Sequence, residues 1–278
     1  MIKPLHTHIA RAGLSLSLLC TACEKEIGMD YRTTQPHYVA EVSLTPTKVT
    51  ARISTTQDVT SKTYTDTGVR GATVTVYITG QADVVDTLSY RGNGIYECDY
   101  WGMAGYEYNV DVCIDGQHYT SASTMHKPPV MNNFRFVWRD VLTESFLFAD
   151  LRLQDVPDEI SYYFAHLYRN GIGYRWAVIN DKPNPGAELQ QLFSCCTRRD
   201  IDRGATTSDV LHEGDNIRLE VRSIDKAAYD YLYSLQLMDN SGTNPIPNFS
   251  NGLLGYFSAY QSVRYETVFR LADVEQDK

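Results

Sequence analysis

The sequence predicts a mainly β protein made of two β-sandwich domains, immunoglobulin-like or fibronectin-like, the second with a short helix inserted near its C-terminal end. Three observations predict it. Short runs of alternating apolar and polar residues recur along the chain, separated by glycine-marked turns at the spacing of sandwich strands. Aromatic residues make up 12%, with 20 Tyr against 9 Phe and 3 Trp, a composition that suits pleated, half-buried surfaces. The 278 residues exceed one typical domain, and Lys127-Pro128-Pro129 interrupts any ladder because neither proline donates an N–H.

Taken in order, the chain opens with Lys3 and Arg11 and a short apolar run at 14–19, followed by Cys20-Thr21-Ala22-Cys23. The run is too short to span a bilayer and reads as the core of a secretory signal. A small residue, Ala22, precedes Cys23, as in the lipobox of bacterial lipoproteins; residues 1–22 are expected to be the signal peptide and Cys23 the acylated N-terminus. An ordinary secretory cut or an uncleaved tail is the alternative. Residues 23–36 lack apolar periodicity and read as a flexible tether ending at Pro36.

The first sandwich is expected over 37–127, with strands at 38–44, 48–55, 72–77, 84–90, 94–100, 106–114 and 119–124, and turns at Asn93-Gly94 and Asp115-Gly116 among others. Its stretch GATVTVYITG, then GIYECDY, is similar to the sandwich modules of bacterial surfaces. The second sandwich is expected over 130–273. Strands are predicted at 134–139, 145–154, 162–169 and 175–180, then a short helix at 189–193 and a strand at 195–201. In 162–168 one face holds Tyr162, Phe164, His166 and Tyr168 and the other Tyr163, Ala165 and Leu167, so this strand is covered on both sides.

The stretch 216–260 organises the rest. Ile217, Leu219 and Val221 alternate with Arg218, Glu220 and Arg222; then Asp225 caps a helix of about twelve residues that lays Ala228, Leu232 and Leu235 on a sheet and leaves Lys226, Asp230 and Asp239 wet. A polar loop over 239–252 leads to a strand at 253–259 in which Gly255 permits close approach and Tyr256 and Phe257 take opposite faces; the last strand is expected at 265–271. In RLEVRSIDKAAYDYLYSLQ followed by NGLLGYFSAY the chain resembles the domain-of-unknown-function family four-two-four-nine of Bacteroidetes cell-envelope lipoproteins. That resemblance implies a lipid-anchored outer-membrane protein of β-sandwich modules, often beside TonB-dependent receptors, with no known activity. Glu24-Lys25-Glu26 resembles the acidic tether that sends such lipoproteins to the cell surface.

Chemistry is hard to find in the sequence. The formal charge is −9 with no basic run, which excludes nucleic acid as a partner. Cys98 and Cys113 fall in opposite phase on their strands, against a disulfide between them, and Cys195-Cys196 lack the companions of a zinc site. The His residues are not spaced as ligands, and no nucleophile, phosphate-binding or dinucleotide motif occurs, so neither metal nor cofactor is expected. Asp155, Asp158 and Glu159 are a weak acid cluster for glycosidic chemistry, and Asp239 to Asn244 reads as a solvated turn before a calcium loop. Trp101, Tyr174 and Trp176 are the aromatics least explained by packing and the candidate ligand or partner contacts.

The expected function is therefore non-enzymatic: an accessory or ligand-binding subunit, lipid-anchored at the outer membrane and associated with a TonB-dependent receptor. An adhesin or pilus-type subunit is the alternative, and a glycan-active enzyme the third reading.

Overall fold

Strand alternation builds the first half. In the computed structural model, which describes residues 36–57, 67–154, 160–181, 187–241 and 245–276, β1 (Tyr38–Leu44) and β2 (Lys48–Thr55) each turn every second residue inward. Cys23, the leader, the tether, the acids at 155–159, the proline loop at 182–186 and part of the loop at 239–252 lie outside the described residues. Six more strands follow: β3 (Thr73–Ile78), β4 (Asp86–Thr87), β5 (Ser89–Gly92), β6 (Ile95–Asp99), β7 (Glu107–Ile114) and β8 (Gln117–Thr124). Asp115 and Gly116 both take positive φ in the β7–β8 turn, the geometry that matches the twist of a tight hairpin. The strand expected over 84–90 is two. Leu88, 5% exposed, drops into the core between them, so β4 pairs with β3 in one sheet and β5 with β6 in the other.

The second half contains β9 (Val130–Val141), β10 (Glu144–Gln154), β11 (Tyr162–Arg169), β12 (Ile172–Asn180), β13 (Leu189–Thr197) and β14 (Asn216–Ile224). Residues 189–193 form strand and not helix, because they pair with residues 149–153 of β10. The helix comes later, as α1 (Arg198–Asp202), where the sequence reading had strand. Thr197 and Asp200 start it with a capping box: the Thr197 hydroxyl accepts from the Asp200 N–H and the Asp200 carboxylate accepts from the Thr197 N–H. Beyond β14 come α2 (Lys226–Ser241), β15 (Leu254–Ala259), β16 (Gln261–Val268) and β17 (Glu275–Gln276). The last long strand thus ends at Val268, and a short 3-10 turn at Leu271–Asp273 replaces its expected end.

Four sheets pack as two sandwiches. The first pairs β15-β1-β2-β6-β5 with β4-β3-β7-β8; the second pairs β13-β10-β9-β17 with β12-β11-β14-β16. Each has its own apolar core, one around Leu44, Ile53, Tyr108 and Phe257, the other around Leu147, Leu151, Leu167 and Leu219. No strand runs through Pro128 and Pro129. The expectation that 130–273 forms a self-contained sandwich is corrected by β15, which pairs in parallel with β1 and places Phe257 and Ala259, with Phe249 and Leu253 before it, in the first core. Parallel pairing needs a long crossover, and α2 with the loop after it supplies one. Asn248 then fixes β15 from the side, its amide bonding both the N–H and the carbonyl of Phe257 at 2.8 Å.

The helix starts where the sequence reading put it and, at 16 residues, runs beyond the expected twelve. Asp225 accepts from the Ala228 N–H at 2.8 Å, and Ala228 and Leu232 are buried against Phe164, Ile224 and Tyr260 on the outer face of the β12-β11-β14-β16 sheet. Leu235 packs at the edge of that cluster and Lys226 is exposed. As for most helices in folded proteins, the packing of its apolar face supplies most of its stability. Because the helix covers one face and the sandwich core the other, β11 is enclosed on both sides, as its two apolar faces require.

Candidate functional site

The sandwiches meet at the segment 125–130, and a cavity of about 470 Å³ opens there. Met125 anchors one wall. Its N–H donates to the Tyr106 carbonyl (3.0 Å) and its carbonyl accepts from the Gly105 N–H (2.8 Å), which ties the loop at 100–106 to the linker. Pro128 and Pro129 belong to neither sheet and line the crease, and β9 starts directly after them at Val130. The other wall comes from the start of β11 and the end of β14. There the Ser161 N–H donates to the fully buried Asp181 carboxylate at 3.0 Å, and Tyr163 and Ile224 close the back.

Asp225 lies beside this crease and joins the halves. Its carboxylate caps α2 and also accepts from the Ser123 hydroxyl of β8, while Ser123 accepts from the Ala259 N–H at 2.8 Å. Burial pushes the Asp225 carboxyl above its ordinary range, and the hydrogen bonds from Ala228 and Ser123 oppose that only in part.

A second polar cluster occupies the outer face of the β12-β11-β14-β16 sheet beyond the helix. Glu220, 3% exposed, is held by Arg222 (2.8 Å) and Arg264 (3.0 Å). Burial works to raise its carboxyl, and the two guanidinium groups outweigh burial and hold it below the ordinary value. His166 and Tyr168 stack at 4.0 Å, and Arg218 lies 4.1 Å from the Tyr168 centroid. Burial, reinforced by Arg222, lowers the His166 imidazole to about 4. The stacked rings turn their faces to one another, not to solvent, so this cluster is a cover for the sheet and not an open stacking platform.

The candidate aromatics separate. Trp101 is 79% exposed on the loop whose Ala104 and Gly105 line the cavity. Tyr174 is not a surface contact: its ring packs on the second core beneath Arg175, and its hydroxyl is 2.7 Å from the Asp209 carbonyl and 3.1 Å from that of Cys195. Trp176 packs against Phe164 under the helix, on the opposite face. Two residues apart on one strand, they would share a face but for a bulge: Leu167 pairs with Arg175 and Tyr168 with Gly173, which leaves Tyr174 unpaired and turned inward. A similar bulge at Cys195 buries both Cys195 and Cys196 as free thiols, and Cys98 and Cys113 are also free. Among the described residues no group of His, Cys, Asp or Glu could hold a metal ion, and no helix is long and apolar enough to cross a membrane.

Sequence reading missed the cavity itself. Its one legible trace was Lys127-Pro128-Pro129, marked as a break between domains without the concavity such a break leaves.

A family profile described as "Domain of unknown function (DUF4249)" matches residues 24–266. No curated protein matches the sequence. Among solved structures, a chain from a study of host cell surface retention of a 1.5-MDa bacterial ice-binding adhesin is similar, at 13% identity and a TM-score of 0.19, covering 87% of this chain and 67% of that one.

Proposed function

Since the chain belongs to the domain-of-unknown-function family DUF4249, a family defined without an activity, we propose from its geometry that it is a non-enzymatic capture subunit of the cell envelope. It is held to the outer membrane by a lipid on Cys23, takes its ligand in the cavity between the sandwiches, and serves a TonB-dependent β-barrel receptor. The observation that carries the reading is where the cavity lies. Tyr38, the first strand residue after the tether, pairs with Thr55 at one end of the first sandwich, with its hydroxyl on Asp115 of the β7–β8 turn. Leu44, Ala259, Met125 and the Trp101 loop are at the other end, where the cavity opens. The cavity thus lies at the end of the first sandwich opposite Tyr38, the strand residue nearest the tether.

The adhesin or pilus reading needs a strand edge open to a second chain. β1, the strand nearest the tether, offers no such edge, since β15 of the same chain fills one side and β2 the other.

Metabolic labelling with a fatty-acid analogue tests the anchor: the label should be lost in Cys23→Ala, and labelling lost only in Cys20→Ala would move the anchor. Pull-down from native outer membranes tests the role. Co-purification of a β-barrel receptor is expected; self-polymers would support the adhesin reading instead.

A further inference from the structure

We propose that the outer edge of β16 is an interaction surface and that its partner is β16 of a second copy, paired antiparallel about a twofold axis at Tyr265. The strand pairs with β14 on one side and, among the described residues, with no strand on the other. It is eight residues long, keeps an unbroken register and contains no proline, so it lacks the short length, bulge or proline that blunts an edge against a further strand. Among the described strands of six residues or more it alone buries no residue, and Tyr265 and Val268 stand 41% and 42% exposed. The edge of β8 is different. Its own chain covers it, through Ser250 on the Thr120 N–H (2.8 Å) and Asn248 on the Ser121 hydroxyl (2.8 Å).

Charge decides the partner and the register. Opposed residues of an antiparallel pair share a face, so the axis of a self-pairing passes through a residue. On Arg264 or Glu266 it would set like charges against each other, and on Val263 it would form no ion pair. On Tyr265 it sets Arg264 of each copy opposite Glu266 of the other and one Tyr265 ring beside the other, all of which favour pairing. Both charges are accessible. Arg264 is 60% exposed and holds Glu220 through Nε and Nη2, which leaves Nη1. Glu266 is exposed and makes no ion pair among the described residues; Arg218, opposite it on β14, lies over Tyr168 instead. The antiparallel sense also suits the chain. β16 begins at Gln261, directly after β15 ends at Ala259 in the first sandwich, so the two first sandwiches fall at opposite ends of the shared strand pair. Such a contact uses each edge once and closes at two copies, which makes a dimer and no filament.

Sedimentation velocity of the full-length protein in mild detergent, at rising concentration, should show monomer and dimer and nothing larger. Glu266→Arg and Arg264→Glu each set like charges into both pairs and should weaken the dimer by about tenfold or more. An equal mixture of the two variants should restore it, because each copy then meets the opposite charge; a variant that merely misfolds gains nothing from its counterpart. Tyr265→Cys should give a disulfide-linked dimer under a mild oxidant. The parent should not, nor should Ser262→Cys, which this register holds about 20 Å from its equivalent. A parent that stays monomeric, species larger than a dimer, or a dimer that both charge variants leave intact would overturn the proposal. So would linkage through Ser262→Cys in place of Tyr265→Cys, or a Tyr265→Cys adduct with a different protein, which would give the edge to a foreign strand.

Discussion

A Cβ on Gly255 would stand 2.0 Å from the carbonyl oxygen of Ala40, and Gly255 itself holds φ at +100°. Ala40 and Gly255 are partners in the parallel β1–β15 pair, so the only residue without a Cβ occupies the one place where the two backbones leave no room for it. Gly255→Ala is expected to cost about 2 to 5 kcal/mol, from the left-handed backbone and the overpacking together. Urea unfolding measures it. A loss below half a unit of midpoint shift relative to a neutral surface variant would show that β15 can move away without penalty.

Leu232 is 5% exposed beneath α2, in contact with the same cluster as Ile224 and Phe164. Leu232→Ala should cost ~2 to 5 kcal/mol through the cavity it leaves. Tyr231 of the same helix stacks on Tyr256 of β15 at 4.7 Å, so loosening the helix should also loosen the first sandwich. A variant of unchanged melting temperature would mean that the helix is not part of the cooperative unit.

Burial lowers His166 from 6.5 to about 4, and Arg222 adds to that. Between those values the unfolded imidazole is protonated and the folded one is not, so the unfolded chain binds the extra proton. The contribution is full above the upper value and is lost as pH falls toward the lower one. His166→Phe should therefore lose less stability than the parent over that window, in denaturant midpoints read at a series of pH values. Parallel curves for the two proteins would show that His166 titrates normally in the fold.

A fragment ending at Pro129 contains every strand of the first sandwich except β15, and lacks Phe249, Leu253, Phe257 and Ala259 from its core. It is expected to show no cooperative thermal transition by near-ultraviolet circular dichroism. A sharp melt would return the first sandwich to the status of an independent domain.

Much of the architecture follows from local pattern. Alternation in Val49, Ala51 and Ile53, or in Ile217, Leu219 and Val221, names the inward face of a strand without knowledge of its partner, because a pleat exposes successive residues to opposite sides. Asp225 marks the helix start because its carboxylate needs only the N–H three residues ahead. The prolines at 128 and 129 end one sandwich by withholding donors, again a local property. None of these signals reaches beyond a few residues. That β15 leaves its neighbours to join β1, or that Leu88 divides one run between two sheets, depends on which apolar surface across the molecule lacks a cover. Tyr174 and Trp176 show the same limit within a single strand: one unpaired residue reverses the face of those before it, and the sequence contains no mark of the register shift. The cavity is the furthest from local reading, since its walls come from segments more than ninety residues apart and exist only where two packed bodies fail to touch.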